Sequence, residues 1–169
     1  KKKDMRKRLE IINSSGADVF VSIHMNKFTD PRYKGAQVLY SGNFVQSEQL
    51  AFLIQKRLHN LKENESQRVH MKAPQGIFLL KNAQIPAVIV ECAFVDNAAD
   101  LKILASESKR KSMGEAIAKG ILKTLGVAIQ SEKASLYRVQ VGAYLLKSNA
   151  EAMQKKIKAV GCDAFIVKE

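Results

Sequence analysis

The chain has 169 residues, enough for one domain of ordinary size or for one domain with a small appendage. With 46% of its residues apolar it can build a packed core, which excludes wholesale disorder, and no apolar run approaches the roughly 20 residues needed to span a bilayer. Its 28 basic residues against 16 acidic ones leave a net charge of +12, which either attracts a polyanion (nucleic acid, an anionic cell wall or a membrane surface) or is only a solvated lysine-rich surface; few aromatics interleave with the lysines and no nucleic-acid motif is recognisable.

Residues 3–14 have the spacing of a helix, with Met5, Leu9 and Ile12 recurring on one side and "SSG" at 14–16 stopping it. The opening "KKKDMRKRLE" is not a secretion signal, because no apolar stretch follows it. Residues 17–25, "ADVFVSIHM", read as a strand, 27–34 as a loop and 35–41, "GAQVLYS", as a second strand. Ser47 is the expected N-cap of a helix with Glu48 in its first turn and an apolar stripe of Leu50, Leu53, Ile54, Leu58 and Leu61. Residues 62–76 are polar and loop-like, and "IFLL" at 77–80 reads as a short strand. After Pro86, "AVIVECAF" is a nearly continuous apolar run that suits a central strand covered on both faces. Asn97 and Asp100 form a capping pair for the next helix, and a longer helix over about 107–125 carries Met113, Ile117, Ile121 and Leu125. Strands alternating with helices predict an α/β fold, a mostly parallel sheet flanked by helices.

Residues 1–126 thus form one domain and residues 127–135 read as a linker. Residues 136–169 read as a compact β-α-β unit: an alternating strand "LYRVQVGAY", a helix opened by Ser148 and Glu151 as a capping box, a helical apolar face of Met153, Ile157 and Val160, a closing Gly161 and a returning strand "DAFIVKE". So few residues do not make a stable solitary core. The two cysteines, Cys92 and Cys162, have neither a metal spacing nor a disulfide framework and read as buried or idle thiols.

Two side chains stand out. His24 closes the strand "FVSIHMN", where an imidazole is either a satisfied structural group or a metal ligand. Glu91 lies inside "PAVIVECAFVDN", where an ionised carboxylate is costly unless it is paired. It is either bonded to a helix end or an arginine, or enclosed with a raised pKa and ready to act as a general base. Both fall near the ends of strands, where sites collect in parallel α/β sheets. His59, in a helix, and His70, in a polar loop, read as surface residues.

The segments "ADVFVSIHMN", "KGAQVLYS", "LLKNAQIPAVIVECAFVDNAADLKIL" and "AIAKGIL" together resemble the zinc-dependent N-acetylmuramoyl-L-alanine amidases of bacterial cell-wall remodelling, over roughly residues 1–125. The resemblance implies Zn2+ as cofactor, His24 as a zinc ligand, Glu91 as the catalytic carboxylate and, as substrate, the amide between muramic acid and L-alanine in peptidoglycan. Such an enzyme would act at the cell wall or outside the cell, as a monomer. Residues 136–169 resemble the first half of a SPOR domain, a ferredoxin-like peptidoglycan-binding fold, which implies glycan contact by Arg138, Gln140 and Tyr144. Family members begin with a G-H-G-G-like segment and a following glutamate that supply the other zinc ligands, and residues 1–23 hold no histidine. The chain is therefore expected to be an internal piece of a two-domain amidase, inactive by itself. The alternative is a non-catalytic peptidoglycan binder built on a degenerate amidase scaffold.

Overall fold

A computed structural model describes residues 2–61, 68–128, 142–161 and 164–166. The chain divides into two compact units, residues 1–129 and 130–169. The first unit runs in the order α1 (Lys2–Ser14), β1 (Phe20–Asn26), β2 (Gln37–Tyr40), α2 (Val45–His59), β3 (Met71–Lys72), α3 (Phe78–Asn82), β4 (Ala87–Phe94), α4 (Ala98–Ala105) and α5 (Glu107–Thr124). The four strands form one sheet in the order β1-β4-β2-β3. Two of its pairings, β1–β4 and β2–β3, are parallel, and β2–β4 is antiparallel. No helix among the described residues is long and apolar enough to cross a membrane.

Strand β4 is apolar on both faces because both faces are covered. Val88, Val90 and Cys92 point into a core with Leu50, Ile54 and Leu58 of α2 and Met113 and Ile117 of α5. Ala87 and Ile89 point the other way, against Ile12 of α1, Leu80 of α3 and Ala83. Alternation along a strand sends successive side chains to opposite faces, so a doubly covered strand loses its polar half. Where α2 crosses α5, Gly120 lies against the backbone of Ile54; a Cβ at this position would come within 2.9 Å of the Ile54 Cα.

Several elements depart from the expected ones. Residues 78–82 form the helix α3, not a strand. Ile77, Leu80 and Ala83, three apart, all join the core under β4, which is helical spacing, and a short apolar run does not distinguish the two by itself. Within the polar stretch 62–76, Met71 and Lys72 form β3. Ser47 is not an N-cap. The cap residue of α2 is Phe44, and Ser47 is fully buried in the first turn, where its hydroxyl accepts a hydrogen bond from the Ala87 amide at 3.0 Å. Leu125 lies past the end of α5 and is exposed. Asn97 does cap α4, accepting from the amides of Ala99 and Asp100.

The outer edge of β2 runs beyond the two residues that β3 covers. There Gln55 of α2, only 3% exposed, stands in for the missing strand. Its Oε1 accepts from the Val38 amide at 2.8 Å and its Nε2 donates to the Ala36 carbonyl at 3.1 Å. Buried backbone groups left without partners cost about 1–3 kcal/mol each, so one side chain offsets two such penalties.

In the second unit, α6 spans Lys147–Ala159. Its N-cap is Leu146, without a side-chain cap bond, so Ser148 does not act as the cap residue; Lys147 instead pairs with Glu151 at 3.3 Å. Met153 and Ile157 are half-buried while Val160 is exposed, and Gly161 closes the helix in the left-handed region at φ 83°. The strand expected at 136–144 lies, up to Val141, outside the described residues, as do Cys162 and most of "DAFIVKE".

The close α2–α5 crossing sets one prediction. Gly120→Ala should destabilise the fold by about 1–3 kcal/mol in urea unfolding. Gly114→Ala, in the same helix with open space around it, should instead stabilise it by about 0.5–1 kcal/mol. Equal effects from the two substitutions would mean that the crossing is not held by this contact.

Candidate functional site

The register of the sheet decides which side chains can meet. His24 of β1 lies directly beside Glu91 of β4, and Gln37 of β2 lies on the other side of Glu91. Paired residues in neighbouring strands point to the same face, so the three form a row across the sheet. The row lies on the face that carries Ala87 and Ile89 and just beyond the cover of α1 and α3, at the carboxyl ends of β1 and β4.

Glu91 is half-buried, and its Oε2 is buried with no hydrogen-bond partner among the described residues. Burial raises its pKa above the usual carboxylate value, and the charge of neighbouring His24 offsets part of that rise. Among the described residues, no hydrogen bond ties Glu91 to a helix end or an arginine. His24 is exposed, and its Nε2 shares a hydrogen bond with the Ser22 hydroxyl at 2.9 Å. Next to Glu91, burial and the glutamate charge push the Cys92 thiol up to about 11, which makes it an inert core thiol.

A β-bulge follows the row. From His24 to Asn26, β1 advances two residues while β4 advances three, from Glu91 to Phe94. The extra residue turns Phe94 onto the face of Glu91 and His24. Asp100, 2% exposed at the start of α4, holds this bend: one carboxylate oxygen accepts from the Phe94 amide at 2.7 Å and from the Gly35 amide at 2.8 Å. Asp100 therefore joins the end of β4 to the β1–β2 loop instead of completing the helix cap. Gly35 has φ 81°, a conformation that favours glycine.

The pattern of residue types gives no direct sign of Gln37 or Arg68, yet both belong here. Arg68 donates to the Gln37 side-chain oxygen at 2.6 Å, and its guanidinium lies 5.0 Å and 4.8 Å from the ring centres of Tyr33 and Phe94. The other histidines are not simple surface residues. His70 is half-buried between the rings of Tyr40 and Phe52, at 5.9 and 5.7 Å, and His59 buries its Nε2 with no hydrogen-bond partner among the described residues. Tyr144, in the second unit, is 41% exposed with its ring against Gly142; Arg138 and Gln140 lie outside the described residues.

A catalytic zinc takes about three protein ligands and keeps one open position. His24 and Glu91 offer one imidazole and one carboxylate, and among the described residues no three His, Cys, Asp or Glu side chains gather to hold a metal. The described residues do not make a complete zinc site.

An imidazole and a carboxylate thus lie in register near the carboxyl ends of adjacent parallel strands, where sites collect in open α/β sheets. The N-acetylmuramoyl-L-alanine amidase family model matches residues 1–123, and the chain belongs to that family. A SPOR domain model matches residues 87–168; over 87–123 it coincides with the amidase match, where β4, α4 and α5 are part of the first unit. The germination-specific N-acetylmuramoyl-L-alanine amidase of Bacillus subtilis is 32% identical over 123 residues, which are 73% of this chain and 51% of that protein. The sporulation-specific amidase of the same organism is 25% identical over 167 residues, 95% of this chain and 60% of that protein. The structure of the CwlD amidase from Clostridioides difficile, in complex with the GerS lipoprotein, superposes with a TM-score of 0.69 at 36% identity, covering 74% of this chain and 63% of that one. The chain thus spans between half and two thirds of the length of these relatives.

The burial of Glu91 has a measurable sign. A carboxyl whose folded pKa lies above its unfolded value favours folding most while protonated in both states, and that contribution is lost as pH rises through the folded pKa. In protein stripped of metal with EDTA, the stability of the wild type relative to Glu91→Gln should fall as pH rises from about 4 to about 7. Urea unfolding at each pH measures it, and a difference that stays flat or grows would contradict the buried setting of Glu91.

Proposed function

We propose that the protein hydrolyses the amide between the N-acetylmuramoyl group and L-alanine in peptidoglycan, with Glu91 as the proton-transferring carboxylate. The observation that supports this most is the placement of Glu91: a carboxylate oxygen with no hydrogen-bond partner among the described residues, enclosed at a strand end, beside an exposed imidazole. Amide hydrolysis needs a group that takes the proton of the attacking water and returns it to the leaving nitrogen, and a carboxylate with a raised pKa suits both halves of that transfer. In the first half Glu91 gains the proton as the water oxygen bonds to the carbonyl carbon. In the second it gives the proton to the nitrogen as the C–N bond breaks, and returns to its starting form.

His24 is proposed as a ligand of Zn2+, with the remaining ligands outside the described residues. The chemistry that a zinc supplies to amide hydrolysis is polarisation of the carbonyl and a lowered pKa for water. The second unit is proposed to hold the enzyme on glycan strands through Tyr144, which is exposed, together with Arg138 and Gln140, which lie outside the described residues. Residues 1–126 are the catalytic domain in this reading, 127–135 a linker and 136–169 the SPOR-like part. The protein acts on the wall from outside the cell, as a monomer.

The metal donor set, incomplete among the described residues, leaves one second reading, a peptidoglycan binder that does no chemistry. Two substitutions in the full-length protein separate them. Glu91→Gln should leave bound zinc unchanged and slow the release of new N-terminal alanine from purified peptidoglycan by about 10²–10⁴-fold. His24→Ala should also lower bound zinc, measured by plasma mass spectrometry. A wild-type protein that binds peptidoglycan, holds no zinc and releases no alanine would establish the binder.

A further inference from the structure

The bulge after Glu91 and the loop between β1 and β2 together build a feature that the proton transfer does not use. Phe28 and Tyr33, both in that loop, stand with ring centres 4.4 Å apart. They are 45% and 42% exposed. Behind Tyr33 lies the buried ring of Phe94, 6.2 Å away, which the bulge has turned onto the face of Glu91. Arg68 braces Tyr33 and Phe94 with its guanidinium and is itself bonded to Gln37, the neighbour of Glu91 in the row.

Large aromatics on an unanchored loop would collapse onto the nearest apolar surface. This loop is anchored along its length by the turn that follows β4. The Phe28 amide donates to Asp96 at 3.1 Å, the Asn97 side chain donates to the Pro31 carbonyl at 2.7 Å, and the Gly35 amide donates to Asp100. The Val95 amide adds a bond to the Asn26 carbonyl at the start of the loop. The anchoring residues Asp96, Asn97 and Asp100 come directly after the strand that carries Glu91, so the rings hold a fixed place relative to the carboxylate. A preorganised surface of this kind avoids the ordering cost of binding.

The geometry points to a sugar-binding platform: Phe28 and Tyr33 stack the N-acetylated pyranose ring on the muramoyl side of the scissile amide, and Arg68 keeps Tyr33 in place. This rests on the amidase reading, in which the cleaved bond joins such a sugar to an amino acid. A pyranose presents an apolar, slightly positive C–H face, which complements the negative face of an aromatic ring, while the phenol oxygen of Tyr33 can bond a sugar hydroxyl. The platform would set which side of the substrate lies beyond the end of β4, and with it the direction in which the peptide leaves.

Saturation-transfer NMR with N-acetylmuramoyl-L-alanyl-D-isoglutamine, on full-length protein kept in EDTA so that nothing is cleaved, tests the platform. The strongest saturation should fall on the pyranose ring and acetyl protons. Tyr33→Ala and Phe28→Leu should each weaken binding by about three- to tenfold, and Tyr33→Phe should keep most of it. Because Phe28→Leu keeps apolar volume and Tyr33→Phe keeps the ring, a loss shared by the first and spared in the second cannot be general unfolding. Saturation confined to the peptide protons, or unchanged affinity in Tyr33→Ala and Phe28→Leu, would overturn the platform. Wild-type protein that releases alanine from peptidoglycan but shows no ring saturation would overturn it while leaving the amidase reading intact. Ring saturation that depends on Tyr33, in protein that releases no alanine, would uphold the platform and sink that reading instead.

Discussion

The double burial of β4 is the constraint on which the rest of the structure depends. Its neighbours β1 and β2 satisfy its backbone, and two different helix layers cover its faces. A strand in this position admits no polar side chain along most of its length, because an unpaired polar group there would cost several kcal/mol. Glu91 occupies the first position where the cover of α1 and α3 ends. It is thus desolvated enough to hold its proton more tightly than an ordinary carboxyl, yet reachable from outside. A residue earlier, on the opposite face, the carboxylate would sit among Leu50, Ile54 and Met113.

What surrounds Glu91 is assembled by residues that do no chemistry. Asp100 spends one oxygen on two backbone amides, and in doing so fixes the bulge of β4 and the glycine turn of the β1–β2 loop with the same atom. Gln37 fills the row beside Glu91 and ties residues 68 and 69 to the sheet through both ends of its amide. The face around Glu91 is therefore a product of long-range polar bonds laid over an apolar scaffold. The Asp100 bonds are buried, so removing that carboxylate would leave buried amides unsatisfied, whereas the Gln37 bonds are part-buried or exposed.

The parts legible in the sequence were those written in periodicity. The continuous run "AVIVECAF" marks a doubly covered strand, Met113 and Ile117 mark the buried side of α5, and Gly161 marks a helix end. His24 and Glu91 stood out because a polar group in an apolar run has few physical explanations. The remainder depended on partners that no local pattern names. Residues 77–82 have the composition of a strand but no strand beside them to pair with among the described residues, so they close into a turn of helix. Ser47 has the chemistry of a cap, but the backbone amide that needs it belongs to Ala87, forty residues away. Arg68 enters the site through a stacking contact and a side-chain bond that only the folded register reveals.

Gln55 carries a consequence of another kind. A sheet edge with bare amides and carbonyls is adhesive, since any extended chain, including another copy of the same protein, can dock there and lengthen the sheet. Beyond the short β3, the rim of β2 would be such a place if Gln55 did not cover it. An amide side chain from a helix matches the donor and acceptor of a passing strand at Val38 and Ala36 but offers no backbone of its own to extend. It terminates the sheet as a blank end piece terminates a rail: growth stops at this rim because the last position is already taken by something that cannot be added to.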